Sequence, residues 1–267
     1  MLVGTSLKTF AQKKFEGIAS YKSSMEVGTM MAAGQDLSPE MKESLRKQIA
    51  QQSQRDYTLT FNLQEALWKE EAQLDPVSNP ASSGGMQIRI ASGAGSSYLN
   101  PGKNQFLEEA DIFGKKFLIE DELPAFTWKI TGETKKIGDY NATKAVFMRI
   151  SEQTTFSLND SEQTSQTIMD TTVVVAWFTS EIPVPLGPAN SWGLPGLILE
   201  LKDGNFTYLC TKIELNPDTP VSIVKPDKGK RVTREEADQI RDEKMEEMMK
   251  KFDTGDGGST RVFRIGG

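Results

Sequence analysis

The chain of 267 residues contains no histidine. Ser-His-Asp and Cys-His catalysis, the usual catalytic zinc sites and imidazole pH switches are therefore excluded. Cys210 is the one cysteine, so no internal disulfide can form and burial must hold the fold. It reads as a small apolar residue within a strand. No run approaches the roughly 18 apolar residues of a membrane-spanning helix. Lys and Arg number 31 against 37 Asp and Glu, a net charge of −6, which leaves no basic stripe for nucleic acid. Short motifs fail on inspection. Asp253-Thr254-Gly255 lacks an apolar strand before it and a second copy. Gly93-Ala94-Gly95 lacks the third glycine of a dinucleotide loop. Asp253 and Asp256 lack the further ligands of a calcium loop. Glu120, Asp121 and Glu122 alternate along a strand and read as solvated edge charges rather than a glycosidase pair. The expectation is a protein that is not an enzyme and uses no metal or cofactor.

Apolar residues make up 37% of the chain, on the low side but enough for a core. Period-two text dominates. Strands are expected over Phe15–Val27, Tyr57–Asn62, Ala66–Ala72, Met86–Ala91, Tyr98–Leu99, Phe106–Ile112, Lys116–Leu123, Thr127–Thr134, Ala142–Ile150, Val173–Thr179, Leu197–Lys202 and Phe206–Leu215. Short turns at Gly114, Gly138-Asp139 and Asp203-Gly204-Asn205 demand antiparallel pairing. Ser151–Asp170 is polar and Thr/Ser-rich and reads as a long exposed extension. Ser38 with Pro39 opens an early helix whose Met41, Leu45 and Ile49 share one face, ending near Gln52. Thr233 with Glu236 forms a capping box before a second helix to about Phe252. Residues 1–11 read as the remnant of a signal peptide, 12–216 as an antiparallel β domain, and 217–267 as an extended tail carrying the late helix, with a Gly-rich, mobile end after Asp253. The fold class is mainly β. Its sheet is too long to stay flat, which suggests a curved half-barrel similar to lipoprotein-localisation carriers.

One segment stands apart. Residues 182–201, IPVPLGPANSWGLPGLILEL, set four prolines among three glycines. Proline fixes φ and glycine permits φ > 0, so this is a shaped, stiff connection. Within it Gly193, Leu194, Pro195, Gly196, Leu197 and Ile198 spell GLPGLI. With FGKKFLIEDEL at 113–123, WKITGETKKIGDYNATKA at 128–145 and AWFTSEIPVPLGP at 176–188, the chain resembles the GLPGLI family, secreted proteins of Bacteroidota of uncharacterised role. The resemblance implies export to the periplasm or beyond. Family members often carry a cysteine near GDYNATKA; Asn141 stands in that stretch here, with no cysteine.

The motif itself reads as structural, its glycines shaping the backbone and Leu197, Leu199 and Leu201 feeding one face of the next strand. The candidate ligand-binding residues are Trp128, Trp177, Phe178 and Trp192, which could line an apolar hollow inside a curved sheet. Met245 and Met248 lie on a methionine-rich helix suited to cover it. Ordinary core packing is the alternative for the four aromatic residues, and plain docking onto the sheet is the alternative for the helix. The leading expectation is an exported protein binding a lipid or other apolar ligand. The alternative is a structural or interaction module with a solid core, binding another envelope protein.

Overall fold

The computed structural model describes residues 15–26, 53–72, 95–159, 162–253 and 261–266, with Glu40, Glu43 and Lys47. Side chains are described for all of these except 152–167, 245, 246, 248–253 and 261–266. The described residues form one thirteen-stranded sheet. Its strands are β1 (Glu16–Met25), β2 (Asp56–Asn62), β3 (Ala66–Glu70), β4 (Ser96–Asn100), β5 (Gln105–Ile112), β6 (Lys115–Asp121), β7 (Lys129–Ile137), β8 (Tyr140–Asn159), β9 (Glu162–Thr179), β10 (Leu197–Asp203), β11 (Phe206–Leu215), β12 (Lys230–Val232) and β13 (Arg261–Gly266). The order across it is β12-β6-β5-β4-β3-β2-β1-β11-β10-β9-β8-β13, with β7 also on β8. Among the described residues its two ends do not pair, so the sheet is open. All pairings are antiparallel except β12 on β6.

Short turns explain most of this order. β5 and β6 meet through Phe113 and Gly114, both at positive φ, and Asp111 Oδ1 accepts a hydrogen bond from the Gly114 amide at 2.7 Å. Such turns match the twist of neighbouring strands. β1 lies at the centre because its partners on either side, β2 and β11, come from opposite ends of the chain. β1 and β2 put Ala19, Tyr21, Leu59 and Phe61 on one inner face, with at most 1% of each exposed.

Residues 216–229 cross the other face of the sheet. Ile223 packs there on Tyr98, Leu107 and Leu118, and Lys225 Nζ stands 4.5 Å from the Tyr98 ring centroid. The crossing delivers β12 to the β6 edge. Helix α1 (Arg234–Asp253) follows, capped as its sequence foretells: Glu236 N donates to Thr233 Oγ1 and Thr233 N to Glu236 Oε2. Ala237 and Ile240 dock it beside β6. Ile223, Val232, Ala237 and Ile240 of the expected tail thus pack against the sheet, and β13 pairs with β8.

Residues 151–170 depart furthest from expectation. They are the outer halves of β8 and β9, paired without a break from Thr143↔Phe178 to Asn159↔Glu162. Threonine, which recurs through this stretch, is a good strand former. The expected early helix falls largely outside the described residues, as do the expected strand over 86–91 and residues 1–14; Glu40, Glu43 and Lys47 are exposed.

Candidate functional site

The segment between β9 and β10 sets exposed Pro183 and Pro195, half-buried Pro185 and buried Pro188 among aliphatic residues turned inward. Val184 N donates to Ile182 O, Leu186 N to Val184 O and Gly196 N to Leu194 O, each at 2.8 Å. These two-residue closures are inverse γ-turns centred on Pro183, Pro185 and Pro195, whose fixed φ suits that geometry. Pro183 and Pro195 are exposed, while Ile182, Val184, Leu186 and Leu194 are buried. A tight reversal follows at Ala189 and Asn190, both left-handed, and Ser191 Oγ donates to Pro188 O at 2.6 Å. The returning chain bonds the outgoing one through Gly193 N to Pro185 O, Leu197 N to Ile182 O and Ile198 N to Leu186 O, each at 3.0 Å.

The GLPGLI glycines have distinct duties. Gly193 has φ +96°, a conformation other residues resist. A Cβ on Gly196 would lie 2.0 Å from Thr179 O, because the two backbones touch there. The alternation expected of Leu197, Leu199 and Leu201 breaks at a bulge between Ile198 and Glu200. Leu197 and Leu199 join one apolar cluster, and Ile198 and Leu201 another.

This segment sits where three clusters meet. Ile182, Val184 and Leu186 pack with Tyr21, Leu59, Phe61 and Trp68 of β1–β3. Leu194 and Ile198 pack with Ala145, Val174, Ala176 and Phe178 of β8 and β9. Trp192 touches both the first of these and the cluster around Phe106 and Ile119 of β5 and β6. Tyr21 OH, fully buried, donates to Ile198 O at 2.8 Å. Over β1–β3, β8 and β9 the inner face of the sheet is thus covered by residues of this segment.

The candidate ligand-binding residues divide among different surroundings. Phe178 is core, 4% exposed. Trp192 and Trp128 are linked and half-buried: Trp192 Nε1 donates to Pro124 O at 2.8 Å, and Trp128 Nε1 to Trp192 O at 2.9 Å. Phe126 stacks on Trp128 with centroids 5.6 Å apart, and Phe147 meets Phe126 edge-on at 5.5 Å. Trp177 points away from Phe178, its neighbour in β9, and lies under Lys135 Nζ at 4.3 Å from the centroid. Lys135 is held there by Glu200, 2.6 Å away. Met245 and Met248 have side chains outside the described residues. Trp128 packs against the cluster that holds Phe178, whereas Trp177 and Trp192 pack against the cluster of Tyr21, Leu59 and Phe61. The described residues also line open recesses. One of about 440 Å³ lies between β1, β2, β11 and residues 217–222, and one of about 210 Å³ lies beside Ile137, Tyr140, Leu199 and Cys210.

Sequence reading passed over Glu108. It sits on the inner face of β5 between Phe106 and Ala110, directly opposite Ser97, whose hydroxyl donates to Asn190 Oδ1. Burial raises the Glu108 carboxyl above its ordinary value, with Arg234 and Arg241 of α1 pulling the other way. The signal was present: Phe106, Glu108, Ala110 and Ile112 share one period-two face. Burial also pushes the Cys210 thiol up to about 12. Tyr208 is raised to about 12 by burial first, then by Asp203 and Glu70. Asp203 pairs with Arg149 at 2.7 Å, at the point where β8 and β9 leave the body of the sheet. Among the described residues no group of three or more Cys, Asp or Glu could hold a metal ion.

Residues 128–200 match the model of a family described as protein of unknown function (Porph_ging). No curated protein matches the chain. Among solved structures it is similar to PNGF-II in space groups C2 and P21, each with 14% identity and a TM-score of 0.48 over 85% of this chain. These alignments cover 32% and 33% of the PNGF-II chains, so this chain spans about a third of their length.

Proposed function

We propose that this is an exported interaction module of the GLPGLI type, with a solid core, which binds another protein through its sheet and performs no catalysis. The observation that carries this reading is the segment 182–198, whose aliphatic side chains fill the inner face where a carrier would hold its cargo. Surface chemistry supports it as well. Met148, Ile150, Met169 and Val173 are 54–67% exposed and adjacent across β8 and β9. Contiguous exposed apolar side chains of this kind mark interaction sites in soluble proteins. The absence of histidine supports a non-catalytic role, and the text of residues 1–11 supports export.

Native mass spectrometry of the gently purified, exported protein tests the reading. The mass should equal the polypeptide or a whole multiple of it. Extra mass that organic solvent removes and that proves to be lipid would return the protein to the carrier class.

A further inference from the structure

The outer part of the β8–β9 hairpin has one bare edge. β8 is covered on its far side by β7 at 140–146 and by β13 at 153–158. β9 is covered by β10 only at 175–179. Gly204, in the β10–β11 turn, approaches Thr172 and limits access to that point. Among the described residues, no strand pairs with 162–171 on the side away from β8. At roughly 3.3 Å per residue that is about 33 Å of unpaired backbone donors and acceptors.

Natural sheets guard such edges with lysine, proline, bulges or short strands. This edge has none of them. Residues 162–171 read EQTSQTIMDT, with neither Lys, Pro nor Gly and with Glu162 and Asp170 as the charges. The pairing with β8 runs through them without a bulge. Ile168 and Met169 on this strand are 42% and 64% exposed, and Ile150 of β8 is exposed beside them.

We propose that this edge pairs with the same edge of a second copy, antiparallel about a two-fold axis at Thr167. The inference rests on the reading of the protein as an interaction module and names its partner. A two-fold contact must be self-complementary, and this strand is. With Thr167 opposite Thr167, Gln166 faces Ile168, Ser165 faces Met169, Thr164 faces Asp170 and Gln163 faces Thr171. Asp170 never meets Asp170, so no like charges are opposed. The result is a continuous run β13-β8-β9 to β9-β8-β13 of the second copy, which covers the bare edge of β9.

The full chain should sediment as a dimer of about 59 kDa, twice the 29.6 kDa of one copy. Thr167→Lys places like charges opposite each other and should raise the dissociation constant at least tenfold. Mixing Thr167→Lys with Thr167→Glu should restore the dimer as a mixed species. A covalent test is independent of the charged variants. Opposed residues have Cα atoms about 4.5–5.5 Å apart, within disulfide reach. Thr167→Cys in a Cys210→Ser background should therefore oxidise to a covalent dimer. A monomeric wild type at about 100 µM, well above the Kd of a stable homodimer, would overturn the proposal. So would a Thr167→Lys chain that dimerises like wild type, or a Thr167→Cys chain that forms no crosslink. A monomer free of lipid removes only this inference, whereas bound lipid removes the reading beneath it.

Discussion

Gly193 and Gly196 stand three residues apart and are needed for different reasons, so their substitutions should separate. Gly196→Ala forces a methyl into the Thr179 backbone, which has nowhere to go. It should cost about 3 kcal/mol or more. Gly193→Ala meets nothing closer than Trp128 at 3.9 Å and strains only its own φ. It should cost about 1–2 kcal/mol, and denaturant titration of both variants checks the order. Glu108 gives a pH signature. Its folded pKa is raised, so between the unfolded and folded values the native state holds more protons and stability falls as pH rises through that window. Glu108→Gln should flatten this fall and raise Tm at pH 7 relative to wild type; an unchanged Tm–pH profile would show that the carboxyl is well solvated. Cys210, with its thiol near 12, should alkylate at pH 8 on the order of 10³-fold more slowly than a free cysteine until the chain unfolds. At this scale the sequence announced the glycines, since a Pro-Gly pair in a strand connection has few other uses. It did not announce which backbone they touch, because Thr179 meets Gly196 only after β9 and β10 pair.

Among the elements, the hairpins were legible wherever a glycine or Asn/Asp turn separated two alternating runs, as at Gly114 and Gly204. The β8–β9 extension was not. Ser151–Asp170 carries no apolar alternation in its text and offers only threonine and the absence of breakers as evidence. The parallel addition of β12 was equally hidden, since it depends on the crossing of residues 216–229 over Tyr98 and Leu118. The extension should be separable from the body. Replacing residues 154–167 by Asn-Gly keeps Ile150 and Met169 in register and leaves every apolar cluster intact. The shortened protein should unfold in one cooperative step with Tm within about 4 °C of wild type, while losing the dimer. A broad or much earlier transition would mean that the extension helps hold the core.

For the whole molecule, mainly antiparallel β structure followed from the text, but the use of its inner face did not. Aromatic residues in strands are equally compatible with a hollow and with a packed core. What decides between them is the course of residues 182–198, and nothing local in that stretch says that it folds back onto β1–β3 rather than away. The central claim is that this segment is core and not a lid. Hydrogen exchange at the Leu197 and Ile198 amides tests it most directly, since they bond to Ile182 O and Leu186 O inside the fill. If the segment is core, both amides exchange only through global unfolding, with the same denaturant dependence as β1. Exchange through a smaller opening, well before β1, would mean that the segment lifts to admit a ligand, and the solid-core account would fail.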